Sequence, residues 1–212
     1  MGSTMRHARI SVTLALAVLG TCAALRGQRV ALAGAPAGNL VENPSFEERS
    51  GPDKKGGPWG RGYPDGIARS PFAHWGYNGF WDNGDYDIKL GQGRTGRLCA
   101  RLVCREKGRG GICTEAIRVP VGTKLQFKGW FKAIGAKGGA CQVNFEGDPG
   151  EGWASIDLPS GSDYGWTEVA AAVTVPKPKN TTGGKVDIYL FIYMRTYGEL
   201  WIDDVTLTPV AE

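Results

Sequence analysis

Three runs of alternating residues place amide, aromatic and charged side chains where they can meet a sugar. One run turns Lys128, Trp130 and Lys132 to one side, a second turns Gln142, Asn144 and Glu146, and a third turns Tyr189, Phe191, Tyr193 and then Arg195. The C–H faces of sugars stack on Trp and Tyr, and their hydroxyls pair with planar amide, carboxylate and guanidinium groups. Trp130, Tyr189 and Tyr193 are the expected stacking residues; Gln142, Asn144, Glu146 and Arg195 are the expected hydrogen-bonding set. Phe191 is expected to pack rather than touch a ligand. Two acids stand apart from this group. Glu47 closes the stretch Asn39–Glu47, and Asp203 interrupts the apolar run Glu199–Leu207. An unpaired carboxylate is costly to bury, so Asp203 calls for a cation, a basic partner or backbone donors.

Catalytic arrangements have little support. A Ser/His/Asp site needs a histidine, and His74 has no nucleophile motif around it. Glu146, Asp148 and Glu151 match the two acids of a glycosidase by residue type alone. A lyase-like set would have to be assembled from Tyr193, His74 and Arg195.

The elements that must position these groups are strands. Glycine is abundant, 33 of 212 residues, and long helical runs are absent. Period-two alternation puts Leu98, Ala100, Leu102 and Cys104 on one face, and likewise Leu125, Phe127, Gly129 and Phe131. The same rule groups Cys141, Val143 and Phe145; Val169, Ala171, Val173 and Val175; and the aliphatic set Val186, Ile188, Leu190, Ile192 and Met194. About nine strands are expected, in two antiparallel sheets packed face to face. Residues 39–48 are read as the first strand and its turn, and 112–119 as a return strand after 97–104. The glycine-rich stretches carry further aromatics, and Trp75 and Trp81 are candidates for a second contact at the sandwich edge.

Residues 1–33 read as a secretory signal: a basic start, an apolar run from Ile10 to Leu25 and a small-residue site at Ala31-Leu32-Ala33. Residues 34–38 form a short linker and 39–210 a single domain, an ordinary domain size. The signal contains four arginines and no acid, so the remaining 21 basic and 21 acidic residues balance. No global charge then favours nucleic acid or an anionic membrane as partner. Cys99, Cys104, Cys113 and Cys141 follow the signal, and an even count in an exported chain suggests disulfides. Cys104–Cys113 is the favoured pair, closing a hairpin around Gly108–Gly111.

Asn43-Pro44-Ser45-Phe46-Glu47 near the start and Trp201-Ile202-Asp203-Asp204-Val205-Thr206-Leu207 near the end carry a resemblance. With Gly96–Leu102, Val121–Ala133 and Trp166–Val169 between them, they resemble carbohydrate-binding modules with a galactose-binding-domain-like jelly roll, the cellulose- and xylan-binding kind appended to glycoside hydrolases. The resemblance covers roughly residues 39–209. It implies an all-β sandwich that binds glycan chains on the outer face of one sheet, without catalysis. It also implies a structural calcium at Glu47 and Asp203, which suits calcium's demand for hard oxygen ligands. A fold does not fix a function, so two rivals stand: a structural or protein-interaction module on the same scaffold, and a small polysaccharide lyase or hydrolase.

Overall fold

A computed structural model of the 212-residue chain describes residues 38–49, 70–78, 86–105, 110–137, 141–147, 151–159, 161, 163–175 and 184–210. The chain divides into two units, Met1–Ala33 and Gly34–Glu212, and every described residue lies in the second. The expected signal, most of the linker and Trp81 lie outside the described residues.

Eleven strands are described: Trp75–Asn78 (β1), Tyr86–Gln92 (β2), Leu98–Cys104 (β3), Gly110–Thr114 (β4), Ile117–Pro120 (β5), Lys124–Lys137 (β6), Cys141–Gly147 (β7), Glu151–Asp157 (β8), Tyr164–Thr174 (β9), Lys185–Met194 (β10) and Tyr197–Pro209 (β11). One sheet has the order β1-β4-β10-β7-β8, with β5 pairing the N-terminal half of β10 beside β4. The other has the order β2-β3-β11-β6-β9. All pairings are antiparallel, and no helix occurs among the described residues.

The inward faces are those that alternation assigns. Ala100, Leu102 and Cys104 from β3, Leu125, Phe127 and Phe131 from β6, and Cys141, Val143 and Phe145 from β7 share one core with the aliphatic face of β10. Burying such side chains removes apolar area from water, worth roughly 25 cal/mol per Å². In β11 the apolar phase slips. Leu200 and Ile202 face the core, and so do Val205 and Leu207, with an odd step between them. A bulge between Asp203 and Thr206 absorbs that step, with Asp204 in the left-handed region at φ 49°. Such a bulge re-aims the side chains beyond it.

Three expectations need correction. Residues 39–49 form no strand. They make bends and turns, tied to β11 by the Leu40 N–H donating to the Leu207 carbonyl at 2.8 Å and the Val205 N–H donating to the Pro44 carbonyl at 2.9 Å. The expected single strand over 112–119 is two, β4 and β5, and neither returns along β3; both pair with β10 in the other sheet. The disulfide fails for the same reason. Cys104 faces the core from the five-stranded sheet, whereas Cys113 pairs in register with Phe191 on the outer side of the six-stranded sheet. A sheet stands between them. Cys99, Cys104, Cys113 and Cys141 are all buried thiols. Burial pushes Cys99 and Cys141 up to about 12, so neither supplies thiolate at neutral pH. An aromatic disulfide reagent is therefore expected to label these cysteines only after denaturant is added; rapid labelling of the native domain would contradict the packing.

Candidate functional site

Two places gather functional side chains. The first joins the two ends of the domain. The turn between β2 and β3 presents a row of backbone N–H groups, and carboxylates from both ends accept from it. Glu47 Oε1 accepts from the N–H of Arg97 at 2.6 Å and of Leu98 at 2.7 Å. Asp203 Oδ2 accepts from the N–H of Arg94 at 2.7 Å and of Thr95 at 3.2 Å, and its Oδ1 from the N–H of Asp204 at 2.8 Å. Gly96 adopts φ 63°, a conformation that favours glycine, and a Cβ there would push Glu47 Oε1 from its place. Asp204 takes the hydroxyls of Ser45 (2.8 Å) and Thr95 (2.6 Å) and an Arg94 guanidinium N–H at 2.7 Å. The same guanidinium lies 3.7 Å from the centroid of the Trp130 ring.

This arrangement does not fit the calcium expected at Glu47 and Asp203. A hard cation needs oxygen ligands, and here N–H and O–H donors meet the carboxylates while Arg94 brings the positive charge. Among the described residues no group of three or more His, Cys, Asp or Glu is arranged to hold a metal. Of the alternatives raised for a buried acid in the last strand, backbone donors and a basic partner are what the structure provides. Burial, reinforced by the charge of Asp204, pushes Asp203 up to about 6 despite its amide partners.

The second place is the outer face of the six-stranded sheet. Its centre is β10. Phe191 stacks on Tyr193 with centroids 5.7 Å apart and planes at 9°, and Tyr189 tilts against Phe191 at 6.3 Å. Register sets Tyr193 beside Gln142 and Phe191 beside Asn144 on β7, then Asp157 and Ser155 on β8. Gln142 Nε2 donates to Asp157 Oδ1 at 2.6 Å, and Ser155 Oγ donates to Asn144 Oδ1 at 2.8 Å. On the other flank β4 contributes Gly111 and Cys113, both buried. Phe191 is fully buried, while Tyr189, Tyr193, Gln142 and Asn144 are half-buried. The face is thus an aromatic ridge, covered on the β4 side and bordered by amide, hydroxyl and carboxylate groups on the β8 side.

The structure brings together Tyr189, Tyr193, Gln142 and Asn144, with exposed Arg195 just past the end of β10. Glu146 pairs with Tyr189 in register, but its side chain lies outside the described residues. Trp130 does not belong to this face. Strand β6 sits in the other sheet, so Trp130, Lys128 and Lys132 look out from the opposite side of the sandwich. Trp75 is no edge contact either: it is 3% exposed, packs on Phe46 at 4.8 Å and donates its indole N–H to the Asn43 carbonyl at 3.1 Å. His74 does not approach Tyr193. It precedes β1 beside Glu42 and Glu115, whereas Tyr193 lies level with Asn78, four residues farther along, about 13 Å of strand. Ser155 and Asp157 are site neighbours that the sequence reading does not single out; their alternation with Ala154 and Ile156 in β8 was the available signal, short because a register shift interrupts the strand beyond Ala154.

No family model matches this sequence, and no curated protein matches it. Solved structures do match in fold. One, described as "CBM4 structure and function", superposes with a TM-score of 0.54 at 16% identity, over 80% of this chain and 99% of that one. The fold is a jelly roll of the kind carbohydrate-binding modules have. Another match is the arabinose-bound MgGH51 α-L-arabinofuranosidase, with a TM-score of 0.53 at 13% identity over 81% of this chain. This jelly roll corresponds to only 26% of that enzyme's chain. At such identities the likeness establishes the fold alone.

Proposed function

We propose that this jelly roll binds polysaccharide chains without altering them, on the outer face of the six-stranded sheet, in a chain exported by residues 1–33. The observation that carries the reading is the aromatic ridge of Tyr189, Phe191 and Tyr193 beside the polar pairs Gln142–Asp157 and Asn144–Ser155. A sandwich needs only one buried face per strand, so this set is surplus to the core. Phe191, wholly buried, holds the plane of Tyr193, and a ring held in place loses little entropy when a sugar stacks on it. The Gln142 and Asn144 amides each keep donors or acceptors beyond those used within the pairs. The likeness to a carbohydrate-binding module supports glycan binding without naming a glycan.

One observation favours the scaffold reading instead. Burial of Phe191, Cys113 and Gly111 removes part of this face from solvent. Electrophoresis of the chain after signal removal through gels containing xylans, glucans, mannans or pectins separates the two. Retardation by one glycan class is expected, with affinity about tenfold weaker in Tyr193→Ala, the loss that about 1.4 kcal/mol of stacking and burial accounts for. Migration unaffected by every glycan would establish the scaffold reading, and newly released sugar ends would establish an enzyme.

A further inference from the structure

The outer face of the five-stranded sheet, on the opposite side of the sandwich, has a chemistry that the ridge on β10 does not share. One register row crosses four strands there: Lys89 of β2 opposite Arg101 of β3, Arg101 opposite Trp201 of β11, and Trp201 opposite Lys132 of β6. At the usual strand spacing the row is about 14 Å long. Its middle is an indole. The Trp201 ring lies over Gly91, where a Cβ would come within 2.8 Å of it, so glycine at 91 is what lets the ring settle on the sheet. The Arg101 guanidinium carbon is 4.9 Å and the Lys132 ammonium 4.8 Å from the ring centroid.

Basic groups dominate this row. Among the described residues, Glu199 is an acid that meets Arg101. It accepts from Arg101 Nε at 2.9 Å and from Arg101 Nη2, and from the Trp201 indole N–H at 3.3 Å. Arg101 holds Glu199 below the usual carboxylate range by hydrogen bonding, so the acid stays ionised and is satisfied by Arg101. Lys132 adds a further positive charge against the indole, and the positive character of the row rests on this charge; Lys89 is placed in the row by register alone. On the adjoining part of the face, the Arg94 charge over Trp130 is matched by Asp204 and that of Lys128 by Glu168 at 3.9 Å. The positive character is therefore local to the Trp201 row.

A neutral glycan would use the Lys132 ammonium only as a donor to a hydroxyl, and would gain nothing from its charge. A sugar carrying carboxylate or sulfate gains from both: its ring C–H groups meet the indole while its anion meets Lys132. We propose that the Lys89–Arg101–Trp201–Lys132 row is a second glycan-binding surface, selective for acidic polysaccharide. It is separated from the β10 face by the thickness of the sandwich, so the two act independently.

The test uses affinity electrophoresis of the chain after signal removal with polygalacturonate, its methyl ester, dextran sulfate and dextran. Retardation is expected with polygalacturonate or dextran sulfate, and the two arms tell carboxylate from sulfate. It should weaken with added salt and be absent with the methyl ester and with dextran. Lys132→Glu is expected to weaken the acidic-glycan affinity at least about tenfold, by reversing a charge in contact with the ligand. Tyr193→Ala, which tests the other face, should leave it unchanged. Trp201→Ala should also weaken it; because Trp201 packs on Gly91, its melting curve is recorded alongside, and Lys132→Glu decides the outcome if that variant unfolds. Failure of both acidic polymers to retard the chain, indifference of the retardation to Lys132→Glu, or equally tight binding of single-stranded DNA would each overturn the proposal. Pectins and glucans are also candidate ligands of the β10 face, so every gel carries Tyr193→Ala beside the wild type: retardation lost in Tyr193→Ala reports on the β10 face, and retardation kept in Tyr193→Ala but lost in Lys132→Glu reports on the Trp201 row.

Discussion

Asp203→Ala is expected to destabilise the domain by about 4 kcal/mol, read as a shift in the urea midpoint at pH 7. Asp203 is fully buried and accepts from three backbone N–H groups, those of Arg94, Thr95 and Asp204. Removing the acceptor leaves these donors partly unsatisfied, at about 1–3 kcal/mol each where water cannot enter. It also removes the backbone link between the β2–β3 turn and the bulge in β11, leaving that turn held by Glu47 and, through the Arg94 and Thr95 side chains, by Asp204. A change under about 1 kcal/mol would mean that these hydrogen bonds contribute little and that Asp203 serves another end. With N–H donors already meeting Glu47 and Asp203, calcium or chelator is expected not to move the wild-type midpoint, and a shift with either would restore the ion.

The same residue sets a pH dependence whose sign follows from its environment. Burial raises Asp203 from 3.8 to about 6, so folding favours its protonated form. The contribution is full below the ordinary carboxylate range and is lost as pH rises through about 6, by up to roughly 3 kcal/mol. Glu199 works in the opposite sense, because Arg101 holds it low and its contribution is lost on acidification. The informative quantity is therefore the difference between wild type and Asp203→Asn. That difference should change between pH 4 and pH 7; a constant difference would contradict the raised value.

Trp75→Ala is the second large effect, an expected loss of about 3–5 kcal/mol for an aromatic removed from a packed core. Trp75 lies among Phe46 and Phe72 at the end of the sandwich where the segment 39–49 crosses. Its indole N–H satisfies the Asn43 carbonyl, and Asn43 itself, at φ 48°, donates to the carbonyls of Glu48 and Ala73. Trp75→Phe keeps most of the volume and loses that hydrogen bond, at about 1–2 kcal/mol. Glycan affinity measured well below the midpoint should be unchanged in Trp75→Phe. Loss of affinity without loss of stability would return Trp75 to the binding surface.

Much of the core was legible in the chain. Alternation assigned the inward faces of β3, β6, β7, β9 and β10, since a strand's two faces follow from a period of two within a few residues. The slip in that period at Asp203 and Asp204 is not part of the sequence reading, which takes the stretch as one strand: Leu200 and Ile202 are in phase with each other and out of phase with Val205 and Leu207. A bulge is what such a slip means. The expected strand over residues 39–48 failed because that segment has few apolar residues in alternation and spends its polar groups on turns, Asn43 above all.

Sequence alone determined the fold class, the two-sheet architecture and the side of each principal strand that turns inward. Those properties are local, repeated every second residue and enforced by the cost of exposing apolar area. Tertiary structure decided which outward faces lie together. Gln142 and Tyr193 meet because β7 pairs with β10, while Trp130, equally well spaced in its own strand, is carried to the other sheet by the pairing of β6 with β11. It also decided the partners of Glu47 and Asp203, which are backbone amides of the β2–β3 turn. Every residue but proline carries that same N–H, so no pattern of side chains announces where a carboxylate will find three of them pointing inward.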